Sequence, residues 1–212
     1  MKNKLKIKVC GLREPKNIKD VDQLNPDYLG FIFYPSSPRY INISGDKIPE
    51  TQAKRVGVFV NETIETILAK ATEFNLTAIQ LHGYEKPEEC LKLLNLGFEV
   101  FKAFRIDECT QRFEIEPYKN VCTAYLFDTK TSIAGGSGVK FNWKKLDEIA
   151  PLGNFILSGG IGPDDAELIL NLNYPTLIGV DLNSRFETEP GLKDIAAVAR
   201  FMNDLQKGKI NI

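Results

Sequence analysis

The chain has 212 residues, 43% of them hydrophobic and 26% charged, with a formal net charge of −1. That length can bury a substantial core, and the near-neutral balance excludes the basic excess that marks a nucleic-acid partner. No apolar run approaches the ~18 residues of a membrane span, and the basic start lacks a small-residue cleavage site, so neither a membrane anchor nor a secretory signal is expected.

The first strand is "KIKVCGL" (6–12), closed by Gly11 and Pro15. Its period-2 alternation puts Lys6, Lys8 and Cys10 on one face. The second is "YLGFIF" (28–33), and the connection over 34–53 reads as mostly loop with at most a short helix. The third, "KRVGVFV" (54–60), leads into "NETIETILAKATEF" (61–74). There Ile64, Ile67, Leu68 and Ala71 form a helical stripe and Asn61 reads as the N-cap. The fourth, "AIQLHG" (78–83), precedes a helix with Pro87 near its start and Gly97 at its end, the expected asymmetry. The fifth and sixth are "EVFKAFR" (99–105) and "AYLFDT" (124–129). The seventh, "NFILSGG" (154–160), and the eighth, "TLIGVDLN" (176–183), are followed by helical patterns in "PDDAELILNLN" and "GLKDIAAVARFMNDLQ".

These runs are rich in Val, Ile, Leu and Phe, as buried parallel strands are. Eight strand–helix repeats without a linker predict a single (β/α)8 TIM barrel over residues 1–212, with an irregular second connection. A doubly wound open sheet is the competing architecture, but "CGLREP" is not a G-x-G-x-x-G.

In such barrels reactive groups sit at the C-terminal strand ends. Here those ends carry Cys10, His82, Asp128, Asp181 and Asn183. Gly159 and Gly160 after the seventh strand, with Asn183 and Ser184 after the eighth, occupy the usual phosphate position of this barrel class. Ring order then flanks a phosphate with Asp128 on one side and Cys10 on the other. That suits a phosphosugar, with a carboxylic acid to protonate an oxygen and a thiolate to remove a carbon-bound proton. Lys8 is a candidate source of positive charge for the thiolate. The four cysteines (Cys10, Cys90, Cys109, Cys122) lack C-x-x-C spacing and read as free thiols of a cytoplasmic protein. Cys90 and Cys122 read as structural. One histidine gives no basis for a zinc site. The cluster Phe31, Phe33 and Tyr34 reads as core and lid packing.

In order along the chain, "KVCGLREP", "LGFIFYPSSPRYI", "VGVFVN", "IQLHGYE", "LFDT", "GGSGVKFNW", "LSGGIGPDD" and "GVDLNSRFETEPGLKD" resemble the motifs of the phosphoribosylanthranilate isomerase family. The resemblance implies an Amadori rearrangement without a cofactor. N-(5-phosphoribosyl)anthranilate becomes 1-(2-carboxyphenylamino)-1-deoxyribulose 5-phosphate in tryptophan biosynthesis. It implies Asp128 as general acid and Cys10 as general base. Arg39 would meet the anthranilate carboxylate, His82 would stand at the mouth, and Asp181 would line the site. Gly159, Gly160, Asn183 and Ser184 would hold phosphate. Expected partners are the phosphosugar alone, with no nucleic acid or membrane, in a monomer or homodimer.

The chain departs from the family's more usual "GGTGKTFDW" at Ser137, Val139 and Asn142. It departs again where Arg185 replaces a frequent glycine. Arg185 could meet phosphate or solvent. The competing functions are the histidine-pathway aminoaldose isomerase, which places an aspartate where Cys10 stands, and a phosphate-binding barrel without turnover, which needs neither Cys10 nor Asp128.

Overall fold

The computed structural model describes residues 4–129, 140 and 142–207. Eight parallel strands form a closed ring: β1 (Lys6–Cys10), β2 (Tyr28–Ile32), β3 (Lys54–Phe59), β4 (Ala78–Leu81), β5 (Glu99–Ile106), β6 (Ala124–Thr129), β7 (Phe155–Leu157) and β8 (Leu177–Leu182). Val9 of β1 pairs with Leu182 of β8 to complete the circle. All eight predicted strands are present, and closure removes the open-sheet alternative.

Strand alternation sorts the side chains into two cores. Ile7 and Val9, Ile79 and Leu81, and Tyr125 and Phe127 face outward against the helices. Tyr28, Val56, Ala78, Phe101, Ala103, Ala124, Leu126 and Ile156 face inward and fill the lumen. Alanines beside the large rings leave space for Tyr28 and Phe101 to meet edge-to-face at 5.4 Å. At the N-terminal end of the lumen the Tyr28 hydroxyl donates to Glu99 (2.7 Å) and accepts from Lys6 (3.0 Å). Burial and the Glu99 carboxylate hold that hydroxyl protonated, pushing its pKa up.

The outer layer contains α1 (Pro15–Asp22), α2 (Ile64–Phe74), α3 (Pro87–Asn95), α4 (Arg112–Ile115), α5 (Leu146–Ile149), α6 (Ala166–Leu170) and α7 (Ile195–Lys207). α3 starts at Pro87 as predicted, and Gly97 follows its end at φ +92°. The α2 stripe also holds, with Ile67, Ala71 and Phe74 buried. Phe74 and Phe59 pack against Phe33, at 4.8 and 5.0 Å between ring centroids. Each such buried ring contributes about 1.5–3 kcal/mol.

The cap of α2 is not Asn61 but Thr63, whose hydroxyl accepts from the Thr66 N–H. Asn61 sits at φ +53° and its side-chain oxygen accepts from Tyr84 N–H, so its amide is spent on the loop after β4. The 34–53 connection holds only one 3-10 turn, Gly45–Lys47. After β7 the helix starts later than the pattern suggests. Asp165 accepts from Gly162 N–H at 2.6 Å and holds a turn ahead of Ala166. The segment before α7 forms an unpredicted antiparallel ribbon, β9 (Glu187–Glu189) with β10 (Leu192–Lys193). No helix among the described residues is long and apolar enough to cross a membrane.

Candidate active site

Cys10 ends β1 on the lumenal face, directly opposite Gly30 of β2. A methyl group on Gly30 would stand 2.8 Å from the Cys10 sulfur, so glycine is what leaves the thiol its space. Two residues earlier, Lys8 is 1% exposed and its Nζ donates to Asp181 Oδ1 at 2.8 Å. The Lys8 ammonium and the Cys10 thiol share this inner face of β1 and influence each other electrostatically. Ser158 donates to the other Asp181 oxygen at 3.3 Å. Burial pushes the Cys10 thiol up from its ordinary range, while Lys8 and Lys193 pull it back and Asp181 adds to the rise. For Lys8, burial works against the charge, but Asp181 and Cys10 outweigh it and hold the ammonium protonated above the ordinary lysine range.

Asp128 stands at the same C-terminal end, on the lumenal side of β6. Its Oδ1 accepts from Thr129 N–H at 2.8 Å, and its Oδ2 lies 3.3 Å from His82 Nε2. Its side chain keeps 28% of its surface open to solvent, whereas Cys10 keeps only 3% as a residue. The loop that carries His82 is pinned from behind. Glu85 accepts from Gly83 N–H at 2.9 Å and from Asn61 N–H at 2.8 Å, and Lys102 bonds the Gly83 carbonyl at 2.8 Å.

Gly159 closes in on Asp128 from β7. It has φ +80°, and a Cβ there would fall 2.4 Å from the Thr129 nitrogen and 2.7 Å from Asp128 Oδ1. Glycine therefore meets two demands at once, a left-handed backbone and a carboxylate at van der Waals range. Gly159→Ala is expected to displace Asp128 and lower kcat by about tenfold or more. Steady-state kinetics, with a structure of the variant, check this.

Gly160 follows at φ +67°, and the turn Ser184–Phe186 faces it from β8. Phe186 anchors that turn by packing edge-to-face on Phe201 of α7 at 5.2 Å. Arg185 reaches across to the Gly160 carbonyl, Nη1 to oxygen 3.5 Å, so the two glycine-and-serine loops are tied together. Asn183 precedes the turn, and its Oδ1 accepts from Lys193 at 2.9 Å.

Arg39 is buried beside Cys10's neighbour Gly11, where a Cβ would lie 2.8 Å from the Arg39 Cδ. Its guanidinium forks onto Glu187, with Nε to Oε1 at 2.9 Å and Nη2 to Oε2 at 2.7 Å. Lys193 donates to the same carboxylate at 2.6 Å. Burial works against the Glu187 charge, but Arg39 and Lys193 outweigh it and hold the carboxyl below the usual range. Burial lowers the Lys193 pKa, against the pull of Glu187. Around Cys10, three cations (Lys8, Arg39, Lys193) thus face two carboxylates (Asp181, Glu187), a balance that suits one more anion.

The structure gathers Cys10, Asp128, His82, Gly159, Gly160, Asn183 and Ser184 at one rim. Asp181 lies beneath it, with both oxygens engaged by Lys8 and Ser158. Arg39 is at the rim but already paired. Gly30, Gln80, Ser158, Glu187 and Lys193 are additional members that the sequence reading passed over. For Lys193 and Glu187 the available signal was "ETEPGLK", a Pro-Gly turn between two short extended runs. Ser137 and Val139 lie outside the described residues, and Asn142 caps a 3-10 turn by accepting from Lys144 N–H. Cys90 is fully buried, and burial pushes its thiol to about 12, as fits a packing role. Phe31 and Phe33 are buried, as core packing requires.

A family model described as N-(5'phosphoribosyl)anthranilate (PRA) isomerase matches residues 7–204. The chain is 48% identical over 201 residues to the N-(5'-phosphoribosyl)anthranilate isomerase of Phocaeicola vulgatus, covering 95% of this chain and 98% of that protein. Its fold is similar to the crystal structure of the Thermotoga maritima enzyme, with a TM-score of 0.80 at 31% identity over 96% of this chain and 99% of that one. It is also similar to a phosphoribosyl anthranilate isomerase in complex with reduced 1-(o-carboxyphenylamino)-1-deoxyribulose 5-phosphate, with a TM-score of 0.77 at 28% identity over 96% of this chain and 99% of that one. A match that runs from β1 into α7, joined to a closed barrel with a thiol and a carboxylate at its rim, makes this chain a member of the N-(5'-phosphoribosyl)anthranilate isomerase family.

Proposed function

We propose that the protein converts N-(5-phosphoribosyl)anthranilate to the aminoketose 1-(2-carboxyphenylamino)-1-deoxyribulose 5-phosphate, with Asp128 as general acid and Cys10 as general base. Asp128 protonates the furanose ring oxygen and the ring opens to a Schiff base. The Cys10 thiolate takes the C2′ proton, and the enolamine tautomerises to the ketone. The observation that carries this reading is the convergence of both groups on the lumenal side at one strand end. The Lys8–Asp181–Ser158 chain lies between them, and Gly159 packs against Asp128.

Two further features support it. Gly159, Gly160, Asn183 and Ser184 form the phosphate side, with backbone amides free to approach an anion closely. Lys8 and Lys193 supply the positive charge that a buried thiolate requires. The reading extends to residues 1–212 as one catalytic barrel, working in the cytoplasm as a monomer or homodimer.

Arg39 is the carboxylate reader of this scheme. Glu187 holds the guanidinium in one orientation, and a rigid planar fork suits a carboxylate. Arg39→Ala is expected to raise KM by about tenfold with a smaller change in kcat, measured by initial rates. An unchanged KM removes Arg39 from substrate recognition.

The test of the function is a fluorescence assay of turnover with freshly generated phosphoribosylanthranilate. Turnover that is lost in Cys10→Ser and in Asp128→Asn supports the reading. A wild type that leaves this substrate untouched but turns over the aminoaldose of histidine biosynthesis overturns it. So does a wild type that binds the substrate without turnover.

A further inference from the structure

Gln80 stands two residues before His82, so both side chains point from the β4 edge into the lumen. It is 1% exposed, and its Nε2 lies 2.8 Å from His82 Nδ1. On its other side the imidazole presents Nε2 to Asp128 Oδ2 at 3.3 Å. An amide nitrogen only donates. Its hydrogen bond therefore requires a lone pair on Nδ1 and leaves the ring proton on Nε2, the nitrogen nearer the carboxyl group.

We propose that Gln80 is a positioning residue that locks His82 in the Nε2–H tautomer, so that a neutral imidazole keeps its N–H on the Asp128 side. The proposal rests on the reading of Asp128 as the acid. Once Asp128 gives its proton to the sugar it becomes a carboxylate, and a donor 3.3 Å away can turn onto it and stabilise the new charge. The opposite tautomer would set a lone pair against Asp128 and compete for the proton meant for the ring oxygen. Reversing the Gln80 amide would impose that tautomer or a charged ring. The loop after His82 is held by Glu85 and Lys102, so the backbone fixes where the ring stands and Gln80 fixes which nitrogen is protonated. Gln80 Oε1 makes no hydrogen bond among the described residues, which leaves the imidazole as the partner that this buried amide serves.

His82 is the single histidine of the chain, so protein labelled with 15N-histidine gives one pair of ring-nitrogen resonances. With the ring neutral, a long-range 1H–15N correlation spectrum is expected to show Nδ1 unprotonated and Nε2 protonated. Gln80→Glu places an acceptor against Nδ1 and is expected to move a proton there. Gln80→Met keeps the volume and is expected to give mixed tautomers. It should lower kcat about tenfold while KM changes less than about twofold. An Nδ1-protonated wild type, or a Gln80→Met protein with the wild-type spectrum, overturns the proposal. Near-full activity of Asp128→Asn, with the wild-type tautomer as stated, instead overturns the acid role and leaves the tautomer assignment standing.

Discussion

Cys10→Ser is expected to lower kcat by about 10²-fold or more while leaving KM and thermal stability nearly unchanged. The substitution preserves size in a slot bounded by Gly30 and Lys8, so packing barely changes. What changes is basicity, since an alcohol does not ionise where a thiol does. The same argument fixes a pH profile. Burial holds the Cys10 thiol above its ordinary range, so the competent thiolate accumulates as pH rises and is scarce below. Turnover also needs Asp128 with its proton on, and rising pH removes that form, so wild-type kcat/KM should not climb in step with the thiolate fraction alone, whereas reaction of the thiol with iodoacetamide should. Turnover and alkylation rates measured across pH check this. A serine variant with near-full activity would remove Cys10 from the mechanism.

Asp128→Asn should cost kcat a comparable factor, on the order of 10² or more, for a different reason. The carboxamide keeps the shape, and its oxygen can still accept from Thr129 N–H as Oδ1 does now. It cannot give up a proton to a ring oxygen. Binding of a reduced product analogue should survive within about threefold, because the phosphate side is built from Gly159, Gly160, Asn183 and Ser184 and does not involve this carboxyl group. Calorimetry of the analogue beside single-turnover rates separates the two effects. Loss of both together would mean that Asp128 holds the substrate rather than protonates it.

The strands were legible because burial on both faces demands continuous apolar runs, and eight such runs with helical intervals leave few architectures. Lys8 was legible in part, since alternation puts it on the same face as Cys10, while only the closed barrel shows that this face is the inner one. Asn61 was misread as a cap because a local pattern cannot reveal that Tyr84 and Glu85 compete for its amide and backbone. Only β10 falls within the helical pattern that starts at Gly191, because "GLKD" carries no helical stop of its own; β9 falls in the loop before it. Arg39 illustrates the deeper limit. Its partner Glu187 lies 148 residues away, and only closure of the barrel brings β8's loop to β2's. Gly30 is silent for another reason. A glycine inside a strand has no side chain to announce a role, and its meaning comes wholly from the atom opposite it.

The lysine–aspartate layer inside the barrel has a consequence beyond reactivity. A desolvated ion pair at the centre of a lumen holds the fold together less well than a tight aliphatic layer of equal volume would, by as much as a few kcal/mol. The protein keeps Lys8 and Asp181 there nonetheless, with almost no contact with water. Tightness of packing and competence at the reactive end are thus set against each other at one pair of strands.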